Sequence, residues 1–160
     1  MLYIVTVRYG KERAAELELG DAIFPHDPGV KITRTEFGGV LLLDTALDYD
    51  KLIRVLSVFP PVNVERIVPV RECCRVEELT RCVDRLLREV GPVANVRIGR
   101  KGGIPSNLIK VLEAMRRRGS TVTVHVEPVS KELVCVGVTK TGEDRFYIIR
   151  ERRMAQGNKG

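Results

Sequence analysis

The first seventy residues alternate between two hydrophobic periods in one order, and few folds accept that order. Tyr3, Val5 and Val7 alternate with Leu2, Ile4 and Thr6, which is the period of a strand. Both faces are largely apolar, which predicts a central strand. Tyr9-Gly10 breaks it. Residues 11–24 predict a helix with Ala15, Leu19, Ala22 and Ile23 along one side, and Gly20 inside it costs about 1 kcal/mol relative to Ala. Residues 30–36 and 39–44 read as two strands about Gly38, a hairpin. Asp48 is placed to cap a helix carrying Tyr49, Leu52, Ile53 and Leu56 at the spacing of one buried face. Pro60-Pro61 ends that helix, and Val64 to Val70 is a fourth strand. The order β-α-β-β-α-β over residues 1–70 is that of a ferredoxin-like sandwich: an antiparallel four-stranded sheet with two helices on one face. That fold hosts many activities and selects none of them.

Residues 71–150 form a second predicted domain of α/β character, so the fold class is α+β with two small domains. A helix is expected at 76–90, with Val76, Leu79, Val83, Leu86 and Val90 as its apolar stripe and Gly91-Pro92 as its stop. A strand at 94–98 and the turn Gly99-Arg100-Lys101-Gly102-Gly103 follow. A helix is expected at 105–118, with Pro105 suited to its first turn and Arg116-Arg117-Arg118 in its last. Strands at 121–126, 132–139 and 145–150 complete the domain. Residues 151–160 lose periodicity and predict a mobile basic tail.

Charge is divided as unevenly as periodicity. Residues 1–60 hold seven Lys/Arg against nine Asp/Glu, while residues 61–160 hold twenty against twelve. Nineteen of the cations are Arg and eight are Lys, and the flat fork of Arg suits phosphate better than a point charge does. A local positive field of this kind attracts polyanions. Arg97, Arg100 and Lys101 cluster at a strand end, Arg116, Arg117 and Arg118 are consecutive, and Arg71 and Arg75 flank two cysteines. One cation would serve to cap a helix electrostatically; three adjacent ones repel each other and point to a binding role. Only Phe146 and Tyr147 are aromatic after residue 60. Unstacked bases are usually read on aromatic platforms, so scarce aromatics favour phosphate and shape reading of structured RNA.

Catalytic and cofactor chemistry have little to stand on. No GxSxG, HExxH or paired-carboxylate pattern occurs, and His26 and His125 lie far apart. His125, between Val124 and Val126 on a strand, reads as a satisfied structural histidine. Gly99 to Ser106 is glycine-rich, basic and runs into a helix, but it lacks the Gly-Lys-Ser/Thr end of a phosphate-hydrolysing loop. Its amides could still face a phosphate. Cys73, Cys74, Cys82 and Cys135 do not form a CxxC pair, so neither a metal site nor a cofactor is expected, and the thiols read as small core residues. The first eight residues read as a strand, not a signal peptide, and no apolar run is long enough to span a membrane. Both point to a cytoplasmic chain.

The stretch Val64-Glu65-Arg66-Ile67-Val68-Pro69-Val70-Arg71-Glu72-Cys73-Cys74, leading into helix 76–90, resembles the entry to a THUMP domain. Asn95-Val96-Arg97-Ile98-Gly99-Arg100-Lys101 before a helix continues the likeness. So does the strand–Pro turn–strand Val124-His125-Val126-Glu127-Pro128-Val129-Ser130-Lys131-Glu132-Leu133-Val134-Cys135-Val136. An N-terminal ferredoxin-like domain ahead of THUMP is the family's usual arrangement. The resemblance implies tRNA binding, with no catalysis by this chain, in the manner of the adaptor that works with the tRNA cytidine acetyltransferase. It implies RNA contacts at Arg97, Arg100, Lys101 and Arg71, to which charge adds Arg116, Arg117 and Arg118. The expected partners are tRNA and a tRNA-modifying enzyme. Two other readings stay open: the RNA-binding subunit of a split tRNA methyltransferase or thiouridine synthase, and a regulatory module whose ferredoxin-like half binds a ligand or dimerises.

Overall fold

The computed structural model describes residues 1–99 and 104–144, which divide into two units, Met1–Ile67 and Val68–Asp144. The expected strand at 145–150, the tail at 151–160, and Arg100 and Lys101 lie outside the described residues.

Unit 1 runs β1 (Leu2–Val7), α1 (Glu12–Ile23), β2 (Lys31–Arg34), β3 (Val40–Asp44), α2 (Tyr49–Val58), and the first part of β4 (Val64–Arg75). The strand order is β2-β3-β1-β4. β3 pairs antiparallel with β1 from Leu2↔Asp44 to Thr6↔Val40, and with β2 from Lys31↔Asp44 to Arg34↔Leu41. The alternation of β1 turns Tyr3, Val5 and Val7 into one core with Leu41, Leu43, Ala15, Leu19, Ile23, Leu52, Leu56 and Ile67. Asp48 caps α2 by accepting the Lys51 amide at 2.9 Å, as the sequence predicts. α1 continues past Gly20 because Ala22 and Ile23 are packed against the core beyond it; their burial outweighs the helix cost of one glycine.

Acidic side chains pin the loops of this unit. Glu12 accepts the amides of Gly10 at 3.3 Å and Gly39 at 2.8 Å, and Gly39 has φ +82° at the hairpin end. Asp27 accepts from the Thr45 hydroxyl at 2.6 Å and from the amides of Ala46 and Gly29. These donors favour the ionised forms and hold both carboxyls below their ordinary range.

Unit 2 begins inside β4, which extends to Arg75 instead of ending at Val70 as expected. This part pairs with a later strand at Val70↔Gly137 and, past a register irregularity, from Glu72↔Val136 to Arg75↔Leu133. A short 3₁₀ turn (Val76–Glu78) leads into α3 (Leu79–Val90). Then follow β5 (Asn95–Ile98), α4 (Ser106–Ala114), β6 (Val122–Pro128) and β7 (Leu133–Lys140). The order is β4-β7-β6-β5, with β5 parallel to β6 and the other pairs antiparallel. Val96, Val124, Val126, Val134 and Val136 pack against Leu79, Val83 and Leu86 of α3 and Leu108 and Leu112 of α4.

Two expectations are corrected here. The helix predicted at 105–118 stops at Ala114. The chain beyond it bends to make a parallel bridge between Arg116 and Val93, with the Arg117 amide donating to the Val93 carbonyl at 2.7 Å. Arg116, Arg117 and Arg118 are therefore not the last turn of a helix. The cysteines, expected as core thiols, are paired as Cys73–Cys135 and Cys74–Cys82. Strand alternation explains how neighbours take different partners: Cys73 faces across the sheet to β7, and Cys74 faces α3. The first bridge closes a separation of 62 residues, a loop whose closure is worth about 4 kcal/mol in the chain-entropy account.

Gly137 of β7 is where a side chain has no room. A Cβ there would collide with the Pro69 carbonyl oxygen and lie 2.8 Å from Val68 Cγ1. Backbone cannot yield as a flexible side chain does. Gly137→Ala should lower unfolding free energy by about 1–3 kcal/mol, the usual cost of overpacking, read as a lowered urea midpoint; an unchanged midpoint refutes the close approach.

Candidate nucleic-acid interface

The cations of unit 2 fall into two groups with opposite surroundings. From Val68 to Val90 there are five Arg and five Asp/Glu. Much of this group is matched: Arg71 with Glu89 at 3.7 Å, Arg85 with Glu72 at 3.1 Å, and Arg88 with Asp84 at 3.0 Å. Arg71, taken from the sequence as an RNA residue, is thus exposed on β4 but ion-paired to α3. From Gly91 to Ser120 there are seven Lys/Arg and a single acid, Glu113. The positive field of unit 2 arises from β5, α4 and the turns around them.

Within that second group the arginines divide again. Arg97 lies on the exposed side of β5, the edge strand. Arg116, Arg117 and Arg118 are all exposed, and the bridge from Arg116 to Val93 puts them beside the start of β5. Val93 and Arg97 are four residues apart along an extended chain, about 13 Å. Arg97 and the triple arginine therefore lie along one edge but at opposite ends of the strand. Arg71 is on the far strand of the unit, three strand spacings away, about 14 Å. Arg117 also serves the fold. Its Nη1 donates to the carbonyls of Ala114 at 3.0 Å and Arg116 at 2.8 Å, capping the end of α4. Among the described residues no ion pair is made by Arg116 or Arg118. Lys110, exposed on α4, belongs with them. Sequence reasoning passed over it because it is an isolated cation within an amphipathic pattern.

Behind Arg97 stands a polar row on the sheet face away from α3 and α4. The parallel register sets Arg97 beside His125, and alternation puts Thr123 and Glu127 on the same face. His125 is buried and its Nε2 lies 2.9 Å from the Thr139 hydroxyl, which agrees with its reading as a structural histidine. Thr123 and Thr141 hydroxyls meet at 3.1 Å. Glu127 was not singled out from the sequence, since a Glu in a valine-rich strand carries no distinguishing spacing. Its carboxyl rests on Gly99, where a Cβ would be 2.7 Å from Oε2. Burial pushes this carboxyl up to about 7, against the pull of the Arg97 guanidinium.

Among the described residues no catalytic constellation gathers around these groups. Glu72, Cys74 and Cys82 bring potential metal-ligand atoms within 4.8 Å of one another, but Cys74 and Cys82 are bonded as a disulfide, and the thiolate is the form that ligates. No helix among the described residues is long and apolar enough to cross a membrane.

No family model matches the chain, and no curated protein matches it. Among solved structures it is similar to a possible methylase from Clostridium difficile 630, with a TM-score of 0.54 and 15% identity. The match covers 89% of this chain and 42% of that one, so this chain spans less than half the length of its neighbour. At that identity the likeness is one of fold.

Glu127 makes the stability of the protein depend on pH with a defined sign. Its folded-state value is raised from 4.5 to about 7, so between those values the folded state binds more protons than the unfolded. Stability from this group is highest below about pH 4.5, falls as pH rises, and levels off above about pH 7. Glu127→Gln should remove that fall, gaining up to about 3 kcal/mol above pH 7 and nothing near pH 4. Urea titrations of both proteins at the two pH values check it; an equal difference at both would refute it.

Proposed function

We propose that the chain binds tRNA through the β5–α4 part of unit 2 and presents it to a tRNA-modifying enzyme. The observation that carries this is the local excess of seven Lys/Arg over one acid from Gly91 to Ser120, beside an α3 segment whose charges balance. A polyanion responds to a local excess of positive charge, and Arg116 and Arg118, beside the start of β5, make no ion pair among the described residues. The resemblance of unit 2 to a THUMP domain supports the same reading, and so does a fold shared with a possible methylase. The chemistry fits phosphate and shape recognition: apart from Glu113 the charged side chains there are guanidinium and ammonium groups, which contact phosphate and fix register on a duplex without reading bases. In the finer form of this proposal the enzyme is a tRNA cytidine acetyltransferase. The name of the structural neighbour favours a second reading, in which the partner is a methyltransferase and this chain its RNA-binding portion. Identifying the enzyme that copurifies with the chain in native extract separates the two.

Binding that rests on roughly four to six phosphate contacts should weaken with salt, with a slope of log K against log salt of about −3 to −5. Filter binding of bulk tRNA across a salt series measures it, and a flat response refutes the proposal.

The arginines should separate by surroundings. Arg116→Ala with Arg118→Ala should weaken tRNA binding by about tenfold, since charge-assisted contacts are worth roughly 1.5–3 kcal/mol each at most, and should leave thermal stability within about 0.5 kcal/mol. Arg71→Ala, already matched by Glu89, should change binding less than about threefold, an upper bound set by the modest worth of an exposed ion pair. Equal losses in the two variants would mean that net charge alone is at work.

A further inference from the structure

A cleft of unit 1 lies between its two helices and has no role in the RNA reading. It measures about 590 Å³ and is lined by Glu18, Asp21, Ala22, Pro25 and His26 from the C-terminal half of α1 and its exit, and by Val55, Val58, Phe59 and Pro60 from those of α2. That volume is within the roughly 300–1,000 Å³ of clefts that hold ligands or side-chain anchors. Its rim is unusually apolar. Phe59 is 84% exposed, Val58 51%, and Phe24 and Val62, adjoining the lining residues, 58% each. Contiguous exposed apolar surface of this kind marks an interaction site more often than chance.

The charge around the cleft has one sign. Two acids, Glu18 and Asp21, line it, and no Lys or Arg does. Glu18 holds the loop after α2 by accepting from the Val62 amide and from Asn63 Nδ2 at 2.7 Å, so it is structural as well as negative. Among the described residues Asp21 has no hydrogen-bond or ion-pair partner. Both helices bring their C-terminal ends to the cleft, and neither carries a basic residue in its last turn. The negative ends of two macrodipoles are thus left without the cations that usually oppose them.

We propose that this cleft docks a basic amphipathic segment of a partner protein: an apolar side chain enters between Val55, Val58 and Phe59, and a flanking Lys or Arg meets Asp21 and the two helix ends. The arrangement is the helix-in-groove mode of recognition, with apolar anchors for affinity and charge for orientation. The sign of this charge disfavours RNA on this surface. The proposal deepens the presentation reading by giving the modifying enzyme a place to bind, and it rests on that reading for the identity of the partner.

The test uses the full chain carrying the photo-cross-linker p-benzoylphenylalanine at position 58, and separately at position 59, both exposed enough to accept it without disturbing the core. After irradiation in extract of the source organism, cross-linked peptides are sequenced by mass spectrometry. The expected result is a peptide from another protein, with Lys or Arg within one helical turn of an apolar residue. Its yield should fall at least fivefold in Asp21→Arg, while tRNA binding by that variant stays unchanged. A cross-link to a second copy of this chain, to RNA, or to a segment without a basic residue overturns the proposal. So does a yield insensitive to Asp21→Arg, or no cross-link from either position. Unchanged tRNA binding together with any of those results leaves the RNA reading standing and removes the docking site alone.

Discussion

Valine at every second position of β6 and β7 sets the geometry on which the chemistry of unit 2 depends. Val124, Val126, Val134 and Val136 are fully buried, and each such side chain is worth roughly 1.5–3 kcal/mol against exposure. A slip of one residue in the pairing of β6 with β7 would carry Thr123 and His125 under the helices and send the valines to the opposite face. The register is therefore held firmly, and β5 takes its own from the same ladder through Val96. Arg97 is where it is because valines elsewhere are where they are. The polar row of Thr123, His125 and Glu127 is the necessary other side of that pattern, and it is tolerated because Thr123 and His125 find hydroxyl partners and Glu127 can take up a proton.

Ion pairing decides which part of a basic unit acts as basic. Exposed pairs such as Arg88 with Asp84 contribute little to stability, typically under 1 kcal/mol. Their larger consequence is to cancel the field over α3. What remains is the stretch around β5 and α4, where seven Lys/Arg stand against the single acid Glu113. One of these is given to structure, Arg117 on the carbonyls that end α4. The triple arginine thus combines a capping residue with two exposed neighbours that make no ion pair among the described residues.

Unit 1 treats charge differently. Its acids are used to hold loops, with Glu12, Glu18 and Asp27 each accepting two or more hydrogen bonds, several of them across long sequence separations. A negative balance in this part of the chain is therefore first a matter of architecture. The cleft between α1 and α2 inherits its sign from that use, since Glu18 stands at its wall.

Strand and helix order were legible in the sequence because periodicities of 2 and 3.6 are local, and burial on one face rewards them wherever they occur. Asp48 as a cap, the central β1, the α+β class and the structural character of His125 follow from residues within a few positions of one another. The concentration of cations after residue 60 is likewise a count along the chain. Tertiary structure alone decided the rest, because each remaining feature joins residues distant in sequence. The end of α4 at Ala114 depends on Val93, the neutralisation of Arg71 on Glu89, and the pairing of Cys73 on Cys135. The proton affinity of Glu127 depends on its burial and on Arg97 of the neighbouring strand. None of these partners announces itself by spacing, and only the folded chain brings them within a few ångströms.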